Sequence, residues 1–171
     1  MKEKGGGLED LLLEESKVVF KYLIKIGASK ENAEDVIQET LYKTLKNIDS
    51  IDEDKIRAWL FKVAINSYYN LYNKNKKHIN LSLDNFQKLE LLTESLEVDY
   101  VNKEKKEHIY SVLNMLKPSY KDLMILKYFL DMSYKEIADI METNEQNVKV
   151  SIYRARNKFR EIWEEFNHEK K

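Results

Sequence analysis

The stretch "MSYKEIADIMETNEQNVKVSIYRARNKFRE", Met132 to Glu161, holds two apolar periodicities separated by a few polar residues. Its last thirteen positions carry five basic residues against one acid. Ser133 and Glu136 stand three apart ahead of Ile137, Ala138, Ile140 and Met141. That is the spacing of a capping box, and it opens a short helix with those four apolar residues facing inward. After "ETN" a longer helix begins, on which Val148, Ile152, Ala155, Phe159 and Ile162 recur at steps of four and three and mark a buried stripe. Two helices joined by a short turn, the second long and basic, form the pattern of a helix-turn-helix, whose second helix lies in the major groove of duplex DNA.

On the opposite face of that last helix lie Gln146, Lys149, Val150, Tyr153, Asn157 and Arg160, with Asn147 and Arg154 towards one edge and Arg156 towards the other. The amides of Gln146 and Asn147 suit adenine edges, and the methyls of Val150 suit a thymine methyl. Lys149, Tyr153, Arg154 and Arg156 suit phosphates, which supply salt-dependent affinity without sequence information. A merely solvated face would mix its signs and would have no need of an exposed valine. DNA contact is therefore the preferred reading.

Composition narrows the fold class. The chain has 171 residues, 43% hydrophobic, enough for one ordinary domain or two small ones. One proline and four glycines, three of them at Gly5, Gly6 and Gly7, leave almost the whole chain free of helix breakers, so an all-α fold is expected. The absence of cysteine removes disulfides and thiolate metal sites and fits a reducing compartment. No segment reaches the roughly 18 uncharged apolar residues of a membrane span, so a cytoplasmic protein without stable membrane insertion is expected. His78, His108 and His168 lack metal-ligand spacing, and no glycine-rich phosphate loop exists. Neither an enzyme nor a cofactor or metal site is expected.

The net charge of -1 is unevenly spread. Residues 28 to 54 carry eight acids against three lysines; Lys55, Arg57, Lys62, Lys74, Lys76 and Lys77 then follow without an acid; positions 79 to 101 turn acidic again. The alternation suggests two polyanion-binding faces, with acidic surface left for a protein partner. Three helices fill the first half. Leu8 to Ile26 ends at Gly27, a C-cap glycine, and Ser29 caps a second helix whose apolar face reads Ala33, Ile37, Leu41, Leu45 and Ile48. After the loop "DSIDED" (49–54), a third helix from Lys55 to Asn75 has one stripe of Ile56, Leu60, Val63, Ser67 and Leu71, and a second side of Phe61, Ile65, Tyr68, Tyr69 and Tyr72. Burial between two neighbours is the preferred reading for Phe61 and Ile65. The three tyrosines, beside Lys62 and the following basic run, fit either a core or a platform for unpaired bases, where stacking contributes about 1 to 3 kcal/mol per base. Beyond an acidic linker with scattered leucines, Ile109, Val112, Leu113 and Leu116 form a stripe that stops at Pro118. "SYKD" (119–122) then starts a helix carrying Leu123, Leu126 and Phe129.

Three segments, "AEDVIQETLYKTLKNI" (33–48), "RAWLFKVAINSYYNLYNKNKK" (57–77) and "LKPSYKDLMILKYFLDMSYKEIADIMETNEQNVKVSIYRARNKFRE" (116–161), occur in the order seen in the extracytoplasmic-function sigma factors of bacterial RNA polymerase, which the chain resembles over nearly its whole length. The resemblance implies two small helical domains, a three-helix sigma-2-like domain at 8–76 and a helix-turn-helix sigma-4-like domain at 104–167, joined by a linker at 77–103. It implies that Asp35, Gln38, Glu39 and Thr40 dock on the clamp helices of the polymerase largest subunit, and that the flap of the second-largest subunit, promoter DNA and an anti-sigma factor are further partners. It assigns the minus-10 element to Lys55, Arg57, Trp59, Lys62, Asn66, Tyr69 and Asn70, and the minus-35 element to the last helix. Two positions depart from the family pattern. Glu142 stands where glycine is frequent in the turn, leaving Asn144 as a candidate for the left-handed conformation, and Ser151 stands where arginine is common. The alternative is a repressor or activator with an N-terminal sensor or dimerisation domain; a duplex-only binder would have no use for the aromatic third helix and its basic tail.

Overall fold

The computed structural model describes residues 7–75 and 100–168, and every regular element among them is helical. Helix α1 (Leu8–Ile26) ends where Gly27 adopts φ 113°, so that the N–H groups of Gly27 and Ala28 close onto the carbonyls of Ile24 and Leu23. A side chain at that φ would be strained, which is why glycine stands there. Helix α2 (Lys30–Lys46) opens with the Ser29 hydroxyl accepting the Asn32 N–H at 3.1 Å. Its buried face differs from the expected leucine stripe: Ala33, Val36, Thr40 and Thr44 face inward, Ile37, Leu41 and Ile48 are half-buried, and Leu45 is 55% exposed. Thr44 is tolerated inside because its hydroxyl donates to the Thr40 carbonyl at 2.8 Å, whereas the Thr40 hydroxyl is buried without a hydrogen-bond partner.

Two single turns of 3-10 helix, Ile48–Ser50 and Glu53–Lys55, lead into α3 (Ile56–Asn75). This helix is sandwiched, as its near-uniform apolarity suggests. It packs on α1 and α2 and also on α6 (Tyr134–Ile140) of the second half. Leu60, Phe61, Ala64 and Tyr68 are buried, Ile65 is half-buried, and the Phe61 ring meets Tyr22 edge-on with centroids 5.6 Å apart.

The second half begins with α4 (Tyr100–Met115); the part of the expected linker up to residue 99 lies outside the described residues, as does His78. Helix α5 (Pro118–Met124) runs on into a π-helical turn at Ile125–Phe129. It starts with Pro118 rather than with "SYKD", and no side chain caps it. Proline at the first helical position forfeits nothing, because that N–H would have no partner. Asp122 turns inward instead. Helix α6 has the expected capping box, Ser133 Oγ accepting from Glu136 N–H at 3.1 Å and Glu136 Oε2 accepting from Ser133 N–H at 2.8 Å. Between α6 and α7 (Glu145–His168), Glu142 itself takes the left-handed conformation with φ 52°, and the Thr143 N–H closes on the Ala138 carbonyl at 3.0 Å. Asn144 is not the left-handed residue: its Oδ1 caps α7 by accepting the Asn147 N–H at 2.8 Å.

The largest apolar cluster is continuous across both halves, joining Val19, Tyr22 and Leu23 of α1 and Leu60 and Phe61 of α3 to Leu126, Ile137, Val148 and Ile152. A smaller cluster of Val112, Leu113, Leu116 and Ile162, flanked by Phe159 and Trp163, fastens α4 to α7.

Candidate nucleic-acid and protein interfaces

On α7 the expected stripe is inside, with Val148, Ile152, Ala155 and Ile162 buried and Phe159 half-buried. The opposite face is in solvent: Gln146, Asn147, Lys149, Val150, Tyr153, Arg154 and Arg156 are all exposed, Val150 and Tyr153 as large apolar groups at 39% and 63%. Two of these side chains are already oriented. Asn147 Nδ2 donates to Thr143 Oγ1 at 3.0 Å, and Lys149 Nζ lies 5.5 Å from the centre of the Tyr134 ring. Ser151 is half-buried, at the flank of this face. Arg156 also lines, with Arg160, an open groove of about 580 Å³ whose apolar walls are Ile109, Leu113, Met124, Phe129, Phe159 and Trp163. Sequence reading did not find this groove, because its walls come from three helices.

The residues assigned to the minus-10 element gather on α3 and the turn before it, and four of the seven meet acids of the second half. Lys55 Nζ is 2.8 Å from Asp139, Arg57 Nη1 is 2.8 Å from Glu136, Lys62 pairs with Glu142, and the Tyr69 hydroxyl donates to Asp122 with 2.9 Å to each carboxylate oxygen. Arg57 also pairs with Glu15 of α1 at 3.2 Å. Asn66 and Asn70 are exposed, whereas Trp59 is half-buried with its Nε1 enclosed and without a hydrogen-bond partner.

Asp122 is a buried carboxylate where α1, α3 and α5 meet, 4% exposed. Burial pushes its pKa up to about 6, against the opposing pull of the Tyr69 hydroxyl and the neighbouring Lys121. The fully buried Tyr22 hydroxyl faces the same carboxylate without meeting hydrogen-bond geometry. Lys121, itself largely buried, has its pKa lowered to about 8 by desolvation, and its ammonium donates to the Ile26 carbonyl at 2.6 Å and to Asn114 Oδ1 at 2.7 Å.

On α2, Asp35, Gln38 and Glu39 project into solvent, with Glu39 held below the usual carboxylate range by its hydrogen bond from Lys43. Thr40 does not share that surface. It is 1% exposed and faces the core.

Residues 11–78 match the Sigma-70 region 2 family and residues 106–159 match Sigma-70 region 4. The chain is 30% identical over 145 residues to the ECF RNA polymerase sigma factor SigM of Bacillus subtilis, covering 85% of this chain and 88% of that protein. It belongs to the extracytoplasmic-function sigma factors. The RNA polymerase sigma factor YlaC of the same organism is 28% identical over 151 residues, covering 87% of each chain. The fold is also that of the sigma factor RpoE of Bartonella quintana, solved in complex with the anti-sigma factor NepR (TM-score 0.63, 22% identity, 91% of this chain and 96% of that one). A similar likeness holds to CnrH, solved in complex with the cytosolic domain of CnrY (TM-score 0.65, 20% identity, 91% and 86%). A sigma factor is a transcription initiation factor of RNA polymerase, and the region 2 match in the N-terminal half disfavours a repressor with a sensor domain. Among the described residues no helix is long and apolar enough to cross a membrane.

Proposed function

We propose that this sigma factor directs promoter-specific initiation through three separate faces, divided among a sigma-2-like domain at 8–76, a linker at 77–103 and a sigma-4-like domain at 104–167. The outer face of α2, with Asp35, Gln38 and Glu39, docks on the clamp helices of the polymerase largest subunit, and the buried Thr40 fixes the helix from behind. Lys55, Arg57, Lys62, Asn66, Tyr69 and Asn70, set around Trp59, capture the opened minus-10 strand. Cations hold the backbone while polar and aromatic groups take unpaired bases, offsetting an unpairing cost of a few kcal/mol per base. The exposed face of α7 reads the minus-35 duplex, Gln146, Asn147 and Val150 at base edges and Lys149, Tyr153, Arg154 and Arg156 at phosphates. The groove between α4, α5 and α7 receives an apolar segment of the flap.

On this reading the protein works in the cytoplasm, catalyses no reaction of its own and is restrained by an anti-sigma factor. Support for that restraint comes from RpoE, captured with its anti-sigma factor. What carries the proposal is the presence of regions 2 and 4, in order, on one chain whose last helix presents an exposed, basic, partly apolar face. The test adds purified protein to sigma-free core polymerase and measures transcription from genomic fragments. Discrete start sites that depend on the protein are expected, and failure to bind core polymerase would overturn the proposal.

A further inference from the structure

Asn147, on the exposed face of α7, is held twice by the turn before it. Its backbone N–H donates to Asn144 Oδ1 at 2.8 Å, and its side-chain Nδ2 donates to the Thr143 hydroxyl oxygen at 3.0 Å. Thr143 is in turn fastened to α6, because its N–H closes on the carbonyl of the buried Ala138 at 3.0 Å. It directly follows the left-handed bend at Glu142, φ 52°. A chain of bonds therefore runs from the end of α6 to the carboxamide of Asn147, while Thr143 and Asn147 both stay exposed to solvent.

That chain limits what the amide can offer. A carboxamide has one carbonyl acceptor and two N–H donors. With one N–H taken by Thr143, the acceptor and a single donor remain. Adenine presents the matching pair in the major groove, its N6 amino donor and its N7 acceptor, and leaves the second N–H of the asparagine unused. Guanine presents two acceptors, O6 and N7, and would call on both N–H groups, leaving none for Thr143. An amide already fixed in direction also gives up less rotational freedom on binding than a free one does.

We infer that Thr143 is a positioning residue for promoter readout, holding the Asn147 amide in the orientation that selects adenine in the minus-35 element. This deepens the minus-35 reading proposed above and rests on it. Thr143 itself touches no base; it acts through Asn147.

The test uses the full chain assembled with sigma-free core polymerase, which selects from a duplex library randomised across the minus-35 element, and the bound fraction is sequenced. Asn147→Ala identifies the base pair that Asn147 reads, by levelling the preference there. At that pair the wild type should favour adenine over guanine by about tenfold, equal to about 1.4 kcal/mol. Thr143→Val, which keeps the shape of the side chain and removes the hydroxyl, should reduce that ratio about threefold, equal to about 0.7 kcal/mol, and leave the preferences at other pairs unchanged. Thr143→Ser, which keeps a hydroxyl, should retain the wild-type ratio. A damaged turn would weaken binding to all sequences alike and would not move a ratio between two of them, so the measurement is independent of folding. A wild-type ratio in Thr143→Val, at a pair that Asn147→Ala levels, would overturn the inference while leaving the minus-35 reading intact. A guanine preference at that pair would overturn it as well, since guanine takes both N–H groups. If Asn147→Ala changes the preference at no pair, the base-reading role of Asn147 fails and the inference falls with it.

Discussion

Replacing Asp122 with asparagine should stabilise the protein at neutral pH and leave it nearly unchanged in acid. The carboxyl is buried against α1 and α3, and burial raises its pKa from an ordinary 3.8 to about 6. That displacement corresponds to about 3 kcal/mol, at about 1.36 kcal/mol per pH unit. The folded state holds the proton more tightly than the unfolded chain does, so stability falls as pH rises from about 4 to about 6, and the full cost of the buried charge persists above that window. Asparagine keeps an oxygen for the Tyr69 hydroxyl and removes the charge, but it brings an amide donor into a buried site. The gain near pH 7.5 should therefore be about 1 to 2 kcal/mol. Lys121, whose pKa is lowered to about 8, stays charged over the interval from about pH 4 to about 6 in which the difference develops; towards pH 7.5 it begins to lose its proton, sooner in the variant because the Asp122 charge raises its pKa, and the readings below pH 7 decide the comparison. Glu39 and Glu136, both held below the usual carboxylate range, lose their stabilisation in acid, but they do so in both proteins and cancel in the difference. Urea midpoints followed by circular dichroism at a series of pH values between 4 and 7.5 give that difference. A difference that stays flat across the series, or an asparagine variant less stable throughout, would refute the argument.

Glu142→Gly should relieve about 1 kcal/mol of left-handed strain while losing a partly exposed ion pair of similar or smaller size, so melting temperature should barely move at low salt and rise at high salt. Asp35→Ala with Gln38→Ala should weaken binding to core polymerase about tenfold by surface plasmon resonance without changing affinity for duplex DNA, since neither side chain lies on α7. Arg154→Ala should reduce the slope of log affinity against log salt by about 0.9 on duplex DNA, as loss of one phosphate contact requires. Ile152→Ala, which hollows the junction of α7 with the shared core, should cost about 2 to 5 kcal/mol in chemical denaturation and reduce DNA binding only through unfolding.

Local chemistry was legible in the sequence wherever one element decided it. The Ser133–Glu136 capping box, the Gly27 C-cap, the Ser29 N-cap and the buried stripe of α7 each depend on residues of a single helix or its cap. What escaped depends on distant partners. The tyrosines of α3 could not be assigned from a helix that is apolar on all sides; Tyr68 proves buried, and Tyr69 is held by a carboxylate 53 positions away. Asp122 looks like part of a helix start because its hydrogen-bond partner, the Tyr69 hydroxyl, reaches it only when the halves close. On α2 the expected stripe meets the core at Ala33, Ile37 and Leu41 and fails at Leu45, since Thr44 could satisfy its hydroxyl on the Thr40 carbonyl and go inside while Leu45 stayed out. Two local features also differ from expectation: the helix at Pro118 starts without a side-chain cap, and at Glu142 a long-range pair with Lys62 accompanies a conformation that side-chain sterics alone disfavour.

The ammonium of Lys121 on the Ile26 carbonyl gives the final turn of α1 a partner encoded 95 residues downstream. During synthesis the N-terminal half leaves the ribosome first, with that carbonyl still open to water. Helix α1 therefore reaches its finished form only when α5 has emerged and docked. Until then the nascent first half is a sigma-2 fold with an unsealed end and an uncovered α3, displayed while the rest of the chain is still being made.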